Sequence, residues 1–125
     1  MTLNHISILH SFAMLAHLEE AEAEYYLPMA MSAQKYFERL LKRAIADEEE
    51  LELLTDAAAK KAFYDYTVLI AASQKTFSTR TGSVFARLSD DTTVINAQQL
   101  YYQAMAILPR DLINDDGFIF EGVAG

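Results

Sequence analysis

The chain has 125 residues, of which 52% are hydrophobic, and its 18 acidic and 10 basic residues give a formal net charge of −8. This length and composition predict one globular domain, and the absence of cysteine excludes a disulfide framework, a thiolate metal site and a cysteine nucleophile. The acidic balance argues against a general DNA-binding face, because neutralising phosphates requires clustered lysine and arginine. We also expect no membrane span, since no run of about 18 charge-free apolar residues occurs.

The first predicted helix runs from Asn4 to the low twenties. Asn4 is a suitable N-cap residue, and apolar side chains recur on nearly all sides of the segment from Ile6 to Leu18. A helix of this kind is either deeply buried or shared with a partner. The sequence then becomes acidic over residues 19–24.

The second predicted helix follows Pro28 and continues to about Ala46. Proline removes a backbone donor and disfavours helix at the preceding Leu27, so it indicates either a kink or the first turn of the new helix. Lys42 and Arg43 near the end of this helix suit the negative pole of its dipole. Its apolar stripe consists of Ala33, Phe37, Leu40, Leu41 and Ala44.

The third predicted helix is long, from Asp47 to about Phe77. Asp47 followed by Glu50 resembles a capping box. Two apolar seams run along the helix, the first through Ala59, Phe63, Tyr66, Ile70, Ser73 and Phe77, the second through Leu51, Leu54, Ala58, Ala62 and Leu69. Two seams imply neighbours on two sides, in the same chain or in another copy.

A loop or short hairpin around Gly82 is predicted from Ser78 to Asp91, because glycine favours turns. The fourth helix runs from about Thr93 to Leu108. The fold class is therefore all-α: a compact bundle of three to four helices with a long central helix, a loop and an extended tail. We expect the core to contain Phe37, Leu40, Phe63, Tyr66, Ile70, Leu100 and Ala104.

The domain division places a helical domain at 1–109 and a C-terminal docking tail at 110–125, which has too few apolar groups for a core. Alternation puts Phe118 and Phe120 on one face of an extended segment. Together with Ile119 they are candidates for docking into a partner's groove or onto a sheet edge. The alternative is a terminus without a role.

Two arginines, Arg80 and Arg87, bracket Gly82 and are candidate loop contacts. In that role they would bind a phosphate or a partner's acidic group. A solvated loop is the other interpretation.

Catalytic motifs are not found in the sequence: there is no nucleophile elbow, no P-loop and no dinucleotide fingerprint. His10 and His17 are seven residues apart on one helical face, near Glu20 and Glu24, which makes a metal site conceivable. The Glu-x-x-His motif of di-iron bundles is missing, however, and packed histidines are the competing interpretation. We therefore predict that the chain is not an enzyme and has no catalytic residue, no metal and no cofactor.

The order of acidic, helical and turn segments along the chain resembles that of a known protein family. An acidic stretch at 18–24 leads into an amphipathic helix that ends Ala-Gln-Lys-Tyr-Phe-Glu-Arg-Leu at 33–40. A helix rich in alanine and aromatic residues follows over 57–66, and then comes the sequence Thr-Gly-Ser-Val-Phe-Ala-Arg at 81–87 before a last helix. Over roughly 15–108 this order resembles the small head–tail connector (adaptor) proteins of tailed double-stranded DNA bacteriophages.

The resemblance implies a structural virion protein. Many copies would form a homo-oligomeric ring that joins the portal protein at the capsid vertex to a tail or head-completion protein. DNA would pass through the channel without sequence-specific binding, and no membrane would take part. The protein would occupy the host cytoplasm during assembly and the virion afterwards.

Two other hypotheses remain open at this point. One is a small helical-bundle module for protein–protein interaction, a regulator or adaptor without catalytic activity. The other is a metal-dependent bundle enzyme. Particle size separates the first of these from a ring, and metal analysis of the purified protein separates the second.

Overall fold

The computed structural model describes the backbone of residues 1–81 and 85–114 and the side chains of 1–73 and 92–114. Within these residues the chain forms five helices: α1 (His5–Ala16), α2 (Glu20–Glu24), α3 (Leu27–Leu40), α4 (Glu48–Thr81) and α5 (Phe85–Ala106). α4 packs along α5 and also contacts α1 and α3, while α1 contacts α3. The prediction of an all-α fold with a long central helix is confirmed, and α4 is that helix.

The first predicted helix starts as expected but is shorter. The Asn4 side chain accepts a hydrogen bond from the N–H of Ile6 at 2.8 Å. The helix ends before His17, whose φ of 56° is left-handed, and the N–H of Leu18 donates to the carbonyl of Ala13 at 2.9 Å. This Schellman closure separates α1 from α2 and accounts for five helices in place of the three or four predicted.

Two further helix starts agree with the sequence. Pro28 lies in the first turn of α3, where its missing N–H removes no helical hydrogen bond. Asp47 precedes α4, and its carboxylate accepts a hydrogen bond from the N–H of Glu50 at 2.9 Å. Acidic residues fill the first turn of α4, near the positive pole of the helix dipole.

α3 ends at Leu40, earlier than predicted, because the chain there pairs with C-terminal residues. Leu41 is extended and forms an isolated antiparallel bridge with Ile113. Beside the bridge, the N–H of Lys42 donates to the carbonyl of Leu112 at 2.8 Å. Backbone groups that would have continued the helix are used in this pairing.

The loop predicted from Ser78 to Asp91 is wrong over most of its length. α4 continues to Thr81 and α5 begins at Phe85, so both flanks of Gly82 are helical. Apart from Gly82 the segment contains no glycine or proline, the residues that most often interrupt a helix. Gly82 itself lies outside the described residues.

The C-terminal segment differs from the prediction of a tail that starts at Arg110 and stays apart from the core. Leu112 is fully buried, Ile113 is nearly so, and both belong to the core cluster. The predicted boundary at 109/110 is therefore not the end of the packed domain. Residues 115–125 lie outside the described residues.

The core lies where α1, α3 and α5 meet α4. The largest fully buried side chains are those of Phe12, Phe37, Ile8, Leu54 and Leu112. Four alanines of α4 are also fully buried: Ala57, Ala58, Ala59 and Ala62. Because alanine has no side chain beyond Cβ, these positions let the neighbouring helices approach the α4 backbone closely.

The core residues predicted from sequence are partly correct. Phe37 and Ala104 are buried. The other five are only partly buried: Leu40, Phe63, Tyr66, Ile70 and Leu100. Of these, Ile70 and Leu100 lie outside the core cluster. The buried seam of α4 runs through Leu54, Ala58 and Ala62. The other predicted seam, which contains Phe63 and Tyr66, lies beside it and is partly buried.

Three aromatic rings link α1, the start of α3 and α4 at one edge of the core. Phe12 meets Tyr26 and Tyr66 edge-to-face, with ring centroids 6.0 and 5.5 Å apart. Tyr26 and Tyr66 are themselves 4.9 Å apart. Such edge-to-face pairs add to the stability that burial alone provides.

Truncation of Leu112 tests whether the C-terminal segment belongs to the core. Because its side chain is fully buried, we expect Leu112→Ala to lower the free energy of unfolding by about 2–5 kcal/mol. Ile107→Ala is the matched control, since Ile107 is 61% exposed and its truncation should change stability by less than about 0.5 kcal/mol. Urea denaturation followed by circular dichroism measures both, and equal stabilities would contradict the placement of Leu112.

Substitution of His17 tests the break between α1 and α2. A left-handed residue other than glycine is strained, so His17→Gly should raise the free energy of unfolding by about 0.5–1 kcal/mol. His17→Val should lower it by about 1–2 kcal/mol, because a β-branched side chain tolerates positive φ poorly. Thermal and urea denaturation of the three proteins give the ranking, and a valine variant as stable as the glycine variant would argue against this conformation.

Candidate interaction surfaces

The residues predicted to contact partners lie in two parts of the chain, the C-terminal segment and the segment around Gly82. Phe118, Ile119 and Phe120 lie outside the described residues, so their docking role stays a prediction. Arg80 lies in α4 and Arg87 in α5, so their backbone is helical and not part of a loop. Their side chains also lie outside the described residues, and the contacts predicted for them stay predictions.

A groove of about 530 Å³ lies between α1 and α2. We call it the acidic groove and define it by Ile6, Leu9, Ala13, Met14, Glu20 and Glu24. Ile6 and Met14 are 65% and 68% exposed and line the same groove, so they form a patch and are not isolated apolar residues. Both carboxylate side chains come from α2 and are exposed. The groove therefore presents apolar contact area beside negative charge.

The apolar side of this groove could be predicted from the sequence in part. The residues from Ile6 to Leu18 predict a helix that is apolar on nearly all sides, and therefore one that is buried or shared. In the structure Ile8 and Phe12 take the buried side of α1, and the opposite apolar side is left open. The break at His17, which places α2 beside α1, was not predicted.

A second concave surface, of about 400 Å³, lies on α3 and α4. We call it the basic surface and define it by Met31, Lys35, Tyr36, Arg39 and Lys61. The Lys61 ammonium lies 2.8 Å from a carboxylate oxygen of Asp65 and 4.7 Å from the centroid of the Tyr36 ring. No role was predicted for Lys35 or Arg39, which fall between the apolar positions Ala33, Phe37 and Leu40 of the predicted stripe.

Lys35 and Arg39 carry the free positive charge of the basic surface. Both side chains are exposed. Neither forms an ion pair with any residue whose side chain the structure describes. Met31, which lies one helical turn before Lys35, is 39% exposed and adds apolar area.

Apolar side chains are also exposed on the two longest helices. Val68 and Leu69 on α4 are 44% and 47% exposed, and Ile95 on α5 is 51% exposed. Leu69 belongs to a seam that predicts a neighbour for α4. Of the residues in that seam, Leu54, Ala58 and Ala62 are buried within the chain, whereas Leu69 is not.

Arg43 joins the turn between α3 and α4 to the C-terminal segment. Its guanidinium forms two hydrogen bonds with the carboxylate of Glu50, at 2.9 and 2.7 Å. It also donates to the carboxylate of Asp111 at 3.0 and 3.2 Å. The predicted role of Arg43 at a helix dipole is wrong, because α3 has already ended at Leu40.

The electrostatics of this cluster are those of a structural ion pair. Hydrogen bonds from Arg43, assisted by one from the N–H of Ala46, lower the pKa of Glu50 to about 2. The same guanidinium lowers the pKa of Asp111, while its own pKa is raised by Glu50 and Asp111. All three groups are thus held in their charged forms, which suits a clamp and not proton transfer.

No group of three or more metal-ligating side chains occurs among the residues whose side chains are described. His10 lies beside the acidic groove and His17 closes α1, and neither is drawn into a ligand set there. Within the same residues, none of the helices is both long and apolar enough to cross a membrane.

Comparison of the chain with protein-family models, with curated proteins and with solved structures found no match.

The Arg43–Glu50 pair predicts a defined pH dependence of stability. Folding lowers the pKa of Glu50 from 4.5 to about 2, so the ionised carboxylate stabilises the folded state fully above pH 4.5, and this contribution is lost as the pH falls toward 2. Glu50→Gln should therefore be less stable than the parent at pH 7, and the difference should shrink across that window.

Urea midpoints at pH 7, 4 and 2.5 measure this convergence. Glu52→Gln is the control, because Glu52 is exposed on the same helix and its substitution should have little effect at any pH. A difference between Glu50→Gln and the parent that stays constant from pH 7 to 2.5 would show that the carboxylate charge is not what stabilises the fold.

Proposed function

We propose that this chain is a structural virion protein of a tailed bacteriophage, a head–tail connector subunit. Copies of it form a ring that joins the portal protein at the capsid vertex to a tail or head-completion protein and continues the DNA channel. The subunit acts by binding proteins and has no catalytic activity or cofactor. It works in the virion after assembly in the host cytoplasm.

The observation that carries this proposal is that a well-packed helical body leaves apolar side chains exposed at several separate places. They lie on α1 at the acidic groove, on α3 at the basic surface, and on α4 at Val68 and Leu69. Isolated exposed apolar residues are ordinary on a monomer, whereas concave patches rimmed by charge are typical of contact sites. A connector subunit needs several such sites, for two neighbours and for the components above and below.

Ring geometry adds a stricter requirement that the chain can meet. In a closed ring each subunit uses two different patches, one toward each neighbour. The acidic groove and the basic surface share no residue and differ in charge. A subunit that only formed symmetric dimers would use a single self-complementary patch.

Net charge supports the part of the proposal that concerns DNA. At −8 the subunit repels a phosphate backbone more than it attracts it. A channel built from such subunits would let a duplex slide with little adhesion. The same charge disfavours a role in gripping DNA or reading its sequence.

The titratable groups support a protein without catalysis. Active sites gather groups with shifted pKa values in a cleft, where a reaction uses them. Among the residues whose side chains are described, the lowered carboxyl pKa values belong to the Arg43 clamp, and burial is the main cause that raises the pKa of Tyr66 and of Tyr101. None of these groups belongs to the acidic groove or to the basic surface.

Assembly size tests the proposal directly. We expect the purified chain, alone or mixed with the portal protein encoded in the same genome, to form particles many times the subunit mass. Mass photometry gives the size, and negative-stain electron microscopy should show rings with an opening wide enough for a DNA duplex. Duplex DNA in a mobility-shift assay at physiological salt should not be retained by the free subunit.

A chain that stays monomeric or dimeric at all concentrations, with and without portal protein, would contradict the proposal. That result would favour the small interaction module without catalytic activity. Tight binding of duplex DNA by the free subunit would contradict the role assigned to its negative charge.

A further inference from the structure

We infer that the acidic groove of one copy contacts the α3 edge of the basic surface of the next copy, along Met31, Lys35 and Arg39, and that this contact is the subunit interface of the ring. The inference rests on the proposed ring and specifies which two surfaces build it. The partner that fits the groove is therefore a second copy of this chain.

The groove has the features of a contact site for a helix. Ile6 and Met14 stand on its α1 side with about two-thirds of their surface in solvent. Burying such side chains against a partner gains roughly 25 cal/mol per Å² of apolar surface removed from water. Glu20 and Glu24 are one turn apart on α2, so their carboxylates lie on the same side of that helix.

The basic surface has the matching arrangement. Lys35 and Arg39 are also spaced one turn apart, on the exposed side of α3, and Met31 lies one turn before them. The helix thus presents an apolar side chain followed by two positive charges along a single line. The groove presents apolar side chains next to two negative charges.

Charge selects a second copy over the other segments that this chain offers. The C-terminal residues include Asp115, Asp116 and Glu121, which have the same sign of charge as Glu20 and Glu24. Opposite charges steer association and like charges oppose it. Lys35 and Arg39 are an exposed positive pair in a chain with an excess of acidic residues, and neither forms an ion pair with a residue whose side chain the structure describes.

Contact between two different surfaces is head-to-tail. Because the groove and the basic surface share no residue, a subunit that uses both can bind one neighbour through each. Repetition of that contact gives a closed ring if the rotation closes and an open filament if it does not. The inference therefore also explains how identical subunits would avoid stopping at a dimer.

Charge reversal with rescue tests the interface. The groove variant Glu20→Lys/Glu24→Lys and the surface variant Lys35→Glu/Arg39→Glu should each raise the subunit concentration needed for half-assembly about tenfold or more. An equal mixture of the two variants should restore assembly. The positive groove of the first variant matches the negative α3 surface of the second, and the unchanged groove of the second matches the unchanged basic surface of the first. Mass photometry measures the assembled fraction, and far-ultraviolet circular dichroism checks that each variant is folded.

The matched control is Glu49→Lys/Glu52→Lys, which makes the same change in net charge as the groove variant, at exposed positions of α4. It should assemble like the parent. If parent, control and both reversal variants all form rings equally well, the interface is wrong while the proposed function stands. If both reversal variants fail and their mixture also fails, the pairing of these two surfaces is wrong. If the parent itself never assembles, the proposed function fails.

Cysteine cross-linking gives a second readout, because the parent chain contains no cysteine. Mixed Met14→Cys and Met31→Cys subunits, carrying tags of different size, should form disulfide-linked pairs of the two different subunits under mild oxidation. Val68→Cys paired with either variant is the control and should give few such pairs, since Val68 lies in neither surface. Cross-linking no greater than this control would overturn the inference.

Discussion

The alanine-rich side of α4 is the constraint on which the other packing depends. Four fully buried alanines leave room for α1, α3 and α5 to approach the backbone of α4. The large buried side chains then come from the surrounding elements, with Phe12 from α1, Phe37 from α3 and Leu112 from the C-terminal segment. A larger residue at any of these alanine positions would force shifts of the neighbouring side chains and backbone, because protein interiors hold few empty spaces. The alanine-rich side of α4 therefore determines how closely α1, α3 and α5 pack against it.

This arrangement also decides which surfaces remain for partners. α1 commits Ile8 and Phe12 to the core, which turns Ile6 and Met14 outward next to α2. α3 likewise commits Ala33 and Phe37 and leaves Lys35 and Arg39 exposed. Interaction surfaces of this kind are the outer sides of helices whose inner sides are fixed by packing. The proposed connector role uses surfaces that the fold leaves open and needs no additional element.

Much of the fold could be predicted from the sequence because its signals are local. Asn4, Pro28 and Asp47 mark helix starts through backbone chemistry that acts within a few residues. The features that were not predicted depend on residues far away in the sequence, or on backbone conformations that the residue type does not indicate. A histidine in the left-handed conformation carries no strong sequence signal, and the early end of α3 requires a pairing with residues some seventy positions away. The loop predicted over residues 78–91 is too long, because a single glycine affects only the backbone close to it. The acidic groove could not be predicted from the sequence, because it forms only where the chain turns at His17 and places α2 beside α1.

The bridge between Leu41 and Ile113 holds the last described residues of the chain beside the turn between α3 and α4. The backbone of Asn114 is held there too, since its N–H donates to the carbonyl of Leu40 at 2.6 Å. From Asn114 to Phe120 is a step of six residues, and a chain spans at most about 3.3–3.6 Å per residue, so the Cα of Phe120 lies within about 22 Å of this anchor whatever its conformation. A partner that docks at residues 118–120, as the sequence predicts, would therefore contact Phe120 within that distance of the turn between α3 and α4.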